Sequence, residues 1–302
     1  MKKRSRRIAL LAERGFVAAG VLRFPFARLM TATMVREALE EDAADNDITS
    51  LATVVSDRRA RCTVVAREAG VIAGIPLARE SFRQRNARAV VRNTVKDGQR
   101  VDAGAQVLFV TGHARGLLSA ERVALNFMQR LSGVATLTAQ FVKAVEGTGA
   151  RILDTRKTTP GWRRLEKYAV RAGGGMNHRM DLAAAVLIKD NHLAAVDGHI
   201  ALAVKRARDV APAGTPVEVE CDRIEQVLDS INAEAEIIML DNMSVEDMRE
   251  AVELIDGRAV SEASGGVTLD TVRSIAKTGV DWISVGAVTH SAKAMDLGLD
   301  FE

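Results

Sequence analysis

Short apolar runs alternate with longer helical segments through the second half of the chain, and this alternation constrains the fold most. The runs have four or five residues and lie at RILD (151–154), VLIK (186–189), VEVE (217–220), EIIML (236–240), AVSEA (259–263) and WISVG (282–286). Because parallel strands need long crossovers, which are usually helices, the pattern indicates a parallel sheet. It predicts an α/β barrel, closed or nearly closed, with six or seven parallel strands. A doubly wound open sheet is the alternative.

The first third of the chain has a different pattern, in which β-rich stretches are separated by turn signals such as Asp97-Gly98. Strands are predicted at 62–66, 71–75, 89–95 and 107–111, and a helix at 76–85. These elements predict a small α+β domain. A long helix is expected from residue 117 to about residue 145, with a bend or a split at Gly133.

Length and composition are those of an ordinary globular protein, since 302 residues suggest two domains and 47% of them are hydrophobic. A net charge of +3, with one Tyr and two Trp, argues against a nucleic-acid-binding protein. Cys62 and Cys221 lack the spacing of a disulfide framework or a zinc site, which favours a reducing, cytoplasmic setting. No uncharged apolar run reaches about 18 residues, so we expect no membrane-spanning helix.

The N-terminal segment concentrates positive charge, because residues 1–28 carry +7 and the rest of the chain carries −4. The segment imitates a signal peptide, but Glu13 and Arg14 interrupt its apolar part. We interpret residues 1–28 as a variable basic extension. An RNA-binding or membrane-surface function is the competing interpretation, and deletion of the segment distinguishes the two.

Cationic side chains collect after the predicted barrel strands, at the end where ligands bind in barrels. The set consists of Arg156, Lys157, His178, Arg179 and Lys189. Arg pairs with anions through a planar fork and Lys acts as a mobile point charge, so the set is suited to carboxylates and phosphates. Ser264-Gly265-Gly266 and Val285-Gly286-Ala287 follow later strands, and they predict a phosphate site because glycines let backbone N–H groups approach an anion.

Glu220 and Asp241 are the acids at the same strand ends. They can bind a divalent cation directly or through water, hydrogen-bond sugar hydroxyls, or stabilise positive charge in a transition state. The competing interpretation is that they simply pair with Lys157 or Lys189.

Three consecutive glycines, residues 173–175, precede His178 and Arg179. Such a run is costly in backbone entropy, so it indicates positive φ angles or the close approach of a ligand, unless it is a flexible linker. His192 fits two interpretations equally well, a partner of a ligand-binding residue or a structural loop histidine.

Five motifs occur in a fixed order along the chain: DTRKTTPGWRRLEKYAVRAGGGMNHRMDLAAAVLIKDNH, EVEC, IIMLDN, SEASGG and ISVGAVTHSAKAMDLGLD. From about residue 34 to the C-terminus the chain closely resembles the quinolinate phosphoribosyltransferase family, also called nicotinate-nucleotide pyrophosphorylase (carboxylating). The resemblance implies that quinolinate and 5-phosphoribosyl 1-diphosphate give nicotinate mononucleotide, diphosphate and CO2 in de novo NAD synthesis. It implies Mg²⁺ carried on the diphosphate and no organic cofactor.

The resemblance also implies an N-terminal α+β domain beside a partly open TIM-like barrel. We place the α+β domain at 29–130, joined by 292–302, and the barrel at 131–291. Family members form homodimers in which the N-terminal domain of one subunit faces the barrel of the other, and assembly into hexamers is left open.

Roles are carried onto the matching positions as what the resemblance implies. Quinolinate carboxylates are assigned to Arg156, His178, Arg179 and Lys189, with Thr155 beside them and Lys157 shared with the diphosphate. Arg122 resembles an arginine donated across the dimer interface. Glu220 and Asp241 resemble the ribose and Mg²⁺ acids, and with Lys157 and Lys189 they are the expected catalytic residues. The 5-phosphate cradle is expected at Ser264, Gly265, Gly266, Val285, Gly286 and Ala287.

Two positions depart from the family pattern. Asn46-Asp47 stands where Gly-Asp is usual, and Ala183-Ala184-Ala185 lacks an expected acid. Two other enzyme hypotheses remain: a same-fold phosphoribosyltransferase with another acceptor, as in a related protein encoded with molybdate transport systems, and a barrel aldolase with Lys189 as Schiff base. Product analysis with quinolinate tests the first, and borohydride trapping tests the second.

Overall fold

The computed structural model describes residues 22–302, which form two compact units. The α+β unit comprises residues 22–139, 164–174 and 292–302, and the barrel unit comprises residues 140–163 and 175–291. The interpretation of residues 1–28 falls mainly on residues outside the described part. In residues 22–302, no helix combines the length and the apolar composition that a bilayer crossing requires.

The α+β unit is built on an antiparallel sheet and several helices. Its strands are β1 (Arg59–Ala66), β2 (Gly70–Val71), β3 (Val90–Asn93), β4 (Arg100–Val101), β5 (Gln106–His113) and, from the far end of the chain, β12 (Leu297–Phe301). Four of them form a sheet in the order β12-β1-β5-β3, while β2 pairs with β4. The helices are α1 (Arg28–Glu41), α2 (Ile48–Thr53), α3 (Ile75–Arg85), α4 (Ala114–Ala144) and α5 (Arg163–Ala172), with a 3-10 turn at Ala44–Asn46.

A single apolar core joins this sheet to its helices. Val64 of β1, Leu108 of β5, Phe82 of α3 and Leu125 of α4 are completely buried in it. The predicted α+β domain is therefore confirmed as a fold class, because one face of the sheet is covered by helices.

The strand predicted at 71–75 is wrong beyond Val71. Gly74 has a φ of +99°, a conformation that ends an extended segment and that glycine adopts at little cost. The carboxylate of Asp97 then accepts the N–H groups of Gly74 (3.0 Å) and Ile75 (3.1 Å), which are the first donors of α3. This side chain caps α3, so the chain turns into a helix where the apolar pattern indicated a strand.

The long helix α4 is continuous, so the expected split at Gly133 does not occur. Gly133 has a packing role instead, because a Cβ at this position would overlap the carbonyl oxygen of Lys293. The glycine lets the chain after the barrel cross close to the helix.

The Asn46-Asp47 departure also has a local explanation. Asp47 is the N-cap of α2, and its Oδ1 accepts the backbone N–H of Ser50 at 3.0 Å. Hydrogen bonds from Ser50 hold the pKa of this carboxyl below its usual value. Asn46 is the last residue of the 3-10 turn. Its φ is not positive, so the position does not require a glycine.

The barrel unit contains six parallel strands, as the alternating pattern predicted. They are β6 (Arg151–Leu153), β7 (Val186–Ile188), β8 (Val217–Cys221), β9 (Ile237–Asp241), β10 (Val260–Ser264) and β11 (Trp282–Ser284), in the order β6-β11-β10-β9-β8-β7. A parallel bridge from Leu153 to Met176 extends the sheet beyond β6. The result is the expected partly open TIM-like barrel.

Helices follow the strands of the barrel in sequence. They are α6 (Asp190–Ala194), α7 (Ile200–Val210), α8 (Ile224–Asn232), α9 (Val245–Ile255), α10 (Val272–Ala276) and α11 (Ala287–His290). Ile237, Val260 and Trp282 form an apolar cluster with Leu153 and Ala185. Because the six strands are parallel, they present their carboxyl ends at one edge of the sheet, where ligand-binding loops gather in this architecture.

Candidate active site

A pocket of about 570 Å³ lies at the carboxyl ends of the barrel strands. It is lined by Thr155, Arg156, Lys157, His178, Arg179, Leu187, Lys189, Glu220, Met239, Asp241, Asn242, Ser264, Gly265, Gly266 and Ser284. This volume is in the range that holds a small-molecule ligand with most of its surface buried. Every barrel strand contributes to the lining through its last residues or the loop that follows it.

Eleven of the fifteen residues predicted for the site line this pocket together. The other four, among the described residues, do not line it: Arg122, Val285, Gly286 and Ala287. Arg122 is in the α+β unit, where its side chain is 60% exposed and pairs with Glu121 at 2.8 Å. At the last strand the lining residue is Ser284, because β11 ends there rather than at Gly286.

Asp154 connects the two segments that carry most of the cations. It is completely buried at the end of β6, directly before Thr155 and Arg156. Its carboxylate accepts the backbone N–H of His178 at 2.9 Å and the side-chain amide of Asn177 at 2.6 Å. One carboxylate thus fixes the loop that bears His178 and Arg179 against the strand that bears Arg156.

The glycine run before this loop has physical causes other than flexibility. A Cβ on Gly173 would overlap the carbonyl oxygen of Ala135, so the close approach at this glycine is to helix α4 and not to a ligand. Gly174 has a φ of +87°, which a residue with a side chain rarely adopts. The run is a tight turn after α5, and the linker interpretation is wrong.

The acids of the pocket have different surroundings. Glu220 forms an ion pair with Lys189, which is one of the pairings considered from the sequence. Asp241 accepts the side-chain amide of Asn242 at 2.7 Å. The Nδ1 of His192 accepts the backbone N–H of Lys189 at 3.0 Å at the start of α6, a contact that fits both interpretations of this histidine.

Beneath the pocket lies a buried group of polar side chains that we call the glutamate cluster: His178, Glu218, Glu262 and Ser284. His178 Nε2 is 3.3 Å from a carboxylate oxygen of Glu218 and 3.5 Å from one of Glu262. The hydroxyl of Ser284 donates to Glu262 at 2.5 Å. On the other edge of the imidazole, Nδ1 accepts the backbone N–H of Arg179 at 2.8 Å.

Ionisation in the glutamate cluster is shared among its members. Burial raises the pKa of Glu218, and the nearby Glu262 carboxylate raises it further. For His178, burial lowers the pKa, but the two carboxylates outweigh burial and raise it to about 10. Both shifts describe one additional proton in the cluster.

Sequence reasoning did not identify Glu218, Glu262, Ser284 or Asn242 as site residues. A signal was present for the two glutamates, because each is a charged residue in the middle of a strand that reads as buried. Charged side chains are almost never fully buried without a partner. Glu218 and Glu262 also stand two residues before Glu220 and Ser264, which places each pair on the same face of its strand.

Comparison with known proteins identifies related families for both parts of the chain. The family model for quinolinate phosphoribosyl transferase, C-terminal domain, matches residues 134–300, and the model for the N-terminal domain matches residues 47–132. A nicotinate-nucleotide pyrophosphorylase (carboxylating) from Mycobacterium leprae (strain TN) is 46% identical over 274 residues, which cover 88% of this chain and 95% of the relative. A probable enzyme of the same name from Bacillus subtilis (strain 168) is 41% identical over 262 residues, covering 86% of this chain and 89% of the relative.

Solved structures give the same result. The nicotinate-nucleotide pyrophosphorylase from Francisella tularensis superimposes with a TM-score of 0.87 at 39% identity, covering 94% of this chain and 99% of that one. The nicotinate-nucleotide pyrophosphorylase from Pyrococcus furiosus, at 17% identity and a TM-score of 0.70, shares the fold.

Proposed function

This chain belongs to the quinolinate phosphoribosyltransferase family, and from that premise we propose that the pocket of the barrel unit is its active site. The reaction transfers the phosphoribosyl group of 5-phosphoribosyl 1-diphosphate to quinolinate with decarboxylation, giving nicotinate mononucleotide in NAD biosynthesis. One observation carries the proposal: cations and carboxylates suited to both anionic substrates line a single pocket.

We assign quinolinate binding to the cationic part of the pocket. Arg156, Arg179 and Lys189 pair with the two carboxylates of quinolinate, with His178 and Thr155 beside them. Guanidinium groups favour this partner because their planar donors match a carboxylate in two parallel hydrogen bonds. Burial lowers the pKa of Arg179, but the guanidinium group stays charged at neutral pH because arginine titrates far above it.

The second substrate occupies the opposite part of the pocket. Ser264, Gly265 and Gly266 hold the 5-phosphate, since both glycines have positive φ and leave room for an anion close to the backbone. Val285, Gly286 and Ala287 remain a prediction for the same phosphate. Lys157 lies between the two substrates and contacts the diphosphate.

Catalysis follows from positioning and electrostatics in this arrangement. Departure of diphosphate leaves positive charge on the ribose carbon, which the Glu220 and Asp241 carboxylates stabilise while Lys157 holds the leaving group. The quinolinate nitrogen then forms the new bond. The resulting pyridinium withdraws electrons from the adjacent carbon, so the bond to its carboxylate breaks and CO2 leaves. The electron pair that stays on this carbon takes up a proton from solvent, and no covalent enzyme intermediate is needed.

Mg²⁺ is the ion that membership in this family implies, and the donors present fit it. Glu220 and Asp241 both line the pocket from the neighbouring strands β8 and β9. Mg²⁺ prefers oxygen ligands and typically uses one or two carboxylates together with substrate phosphates. We propose that these two acids hold Mg²⁺ that arrives with the diphosphate, directly or through water. When bound by these acids, the ion would supply charge neutralisation for the leaving group.

The wider assignments remain proposals. We propose a homodimer with shared sites, in which Arg122 reaches the partner's pocket. Its side chain is 60% exposed and is available for that contact. Such dimers can also assemble into a hexamer. Mixing Arg122→Ala with Arg179→Ala subunits tests this, since partial recovery of activity requires sites built from two subunits. We also propose a cytoplasmic location, in keeping with two free cysteines.

The direct test of function mixes purified protein with quinolinate, 5-phosphoribosyl 1-diphosphate and Mg²⁺ and measures nicotinate mononucleotide and CO2. Lys189→Ala is expected to lower kcat/KM about a hundredfold. It removes a positive charge that binds the substrate, and it leaves the Glu220 carboxylate without its partner. The matched control is Lys205→Ala, which removes a 74% exposed lysine paired with Asp209 on α7 and should have no effect. Turnover of another acceptor in place of quinolinate would refute the assignment.

A further inference from the structure

Two glutamates lie completely buried one layer below the floor of the pocket. Glu218 and Glu262 are 0% exposed, and they precede the pocket residues Glu220 and Ser264 by two positions on β8 and β10. Side chains two positions apart on a strand share a face, so both glutamates point into the barrel under the site. Burying carboxylates is costly unless charge or hydrogen bonding compensates, which indicates that they have a specific task.

The partner that compensates both glutamates is His178. Its Nε2 lies between the carboxylates, at 3.3 Å from Glu218 and 3.5 Å from Glu262. Ser284 fixes the second carboxylate by donating to it at 2.5 Å. Two carboxylates from different strands therefore face the same edge of the imidazole from below, within ion-pair distance.

The orientation of this ring is transmitted to Arg179. Nδ1 of His178 accepts the backbone N–H of Arg179 at 2.8 Å, so the ring plane determines where that backbone lies. The guanidinium group of Arg179 is anchored in turn, because it donates to the carbonyl oxygen of Ala185 at 2.8 Å. Glu218 also attracts Arg179 electrostatically, which draws the guanidinium towards the floor of the pocket.

We propose that Glu218 and Glu262 are positioning residues for the acceptor, which act through His178 and Arg179 to set the geometry of the carboxylate-binding half of the pocket. The inference rests on the proposed function, in which that half binds quinolinate. The glutamates touch the imidazole rather than the substrate. Within residues 22–302 the contacts of the two glutamates are with His178 and Ser284 rather than with the loop at 264–266, so the effect of their loss is selective for one substrate.

The test replaces each glutamate by the isosteric amide, in Glu218→Gln and Glu262→Gln. The KM for quinolinate is expected to rise about tenfold or more, because each amide removes one of the two carboxylates that face Nε2 of His178. kcat and the KM for 5-phosphoribosyl 1-diphosphate should change about threefold or less. Ser284→Ala removes the support of Glu262 without altering a charge, and it should raise the KM for quinolinate in the same direction by a smaller factor.

Asp281→Asn is the matched control, because Asp281 is a buried carboxylate of the same barrel at the opposite end of its strands. Its carboxylate accepts the backbone N–H of Ser261 at 3.0 Å and the hydroxyl of Ser261 at 2.8 Å. The control should lower the thermal midpoint and leave the KM for quinolinate unchanged. Equal rises in both KM values, or an unchanged KM for quinolinate in both amide variants and in Ser284→Ala, would overturn the proposal.

Quinolinate affinity is also measured by calorimetry without the second substrate, so that binding is read independently of turnover. If the unsubstituted protein binds quinolinate but forms no nicotinate mononucleotide, the proposed function fails while the positioning role stands on the affinity of the variants. If it binds no quinolinate, both fail. Weaker binding in both amide variants and normal binding in Asp281→Asn supports the proposal.

Discussion

Replacing Gly265 by alanine is expected to weaken the binding of 5-phosphoribosyl 1-diphosphate by displacing Asn242. Gly265 has a φ of +89°, and a Cβ there would overlap the side chain of Asn242. The amide of Asn242 donates to the carboxylate of Asp241 at 2.7 Å. The substitution therefore perturbs the loop at 264–266 and one of the proposed catalytic acids at the same time.

Gly266 provides a comparison in which only backbone strain changes. Its φ is +57°, and the nearest atom to a Cβ, Oδ1 of Asn242, lies 4.0 Å away. An alanine in this left-handed region costs roughly 1–2 kcal/mol. Gly265→Ala carries at least that strain, and it also loses a hydrogen bond to a charged group, which contributes about 1.5–3 kcal/mol. At about 1.4 kcal/mol for each factor of ten, the difference amounts to roughly tenfold or more in the KM.

The assay varies 5-phosphoribosyl 1-diphosphate at saturating quinolinate and follows nicotinate mononucleotide, with thermal unfolding measured in parallel. Gly265→Ala should raise the KM at least about tenfold above that of Gly266→Ala, and it should also lower kcat, since Asp241 is misplaced. If the two variants have the same KM and kcat, displacement of Asn242 does not matter and the reasoning is refuted.

Three further outcomes are expected. Gly133→Ala should destabilise the protein by about 1–3 kcal/mol in urea unfolding, because overlap with Lys293 outweighs the helix preference of alanine; a stabilised variant would contradict this. Asp154→Asn should lower kcat/KM for quinolinate about tenfold by weakening the bond to the His178 N–H; unchanged kinetics would contradict it. Burial raises the pKa of the Cys62 and Cys221 thiols from 9.0 to about 12, so both should resist alkylation at pH 8 until the protein unfolds. Because unfolded thiols ionise at lower pH than folded ones, stability should fall as pH rises above 9.0.

The barrel could be predicted from the sequence because its signals are local. Strand length, burial on both faces and intervening helices are each visible in a short window, and AVSEA at 259–263 differs from the observed Val260–Ser264 by one residue. The cations at 156, 157, 179 and 189 followed from the rule that ligands bind at the carboxyl ends of parallel strands.

The rest of the site depends on contacts between residues far apart in sequence. The role of Asp97 as the cap of α3 requires that a later turn return to Gly74, which no local pattern reveals. The contacts of Glu218 and Glu262 with His178 join two separate strands to a distant loop, so no short sequence window predicts them. The predicted strand WISVG ends at Gly286, whereas β11 ends two residues earlier, at Ser284. As a result Ser284 lines the pocket, and Val285 and Gly286 do not.

The position of β12 in the sheet has a consequence for the order of folding during synthesis. β12 is the edge strand beside β1, and it is translated only after the entire barrel. Until then the N–H and C=O groups along one edge of β1 have no strand to pair with, although the other strands of the sheet are already made. An unpaired edge readily recruits strands from other chains. The nascent chain is therefore exposed to aggregation along this edge from the time the sheet forms until β12 pairs with β1.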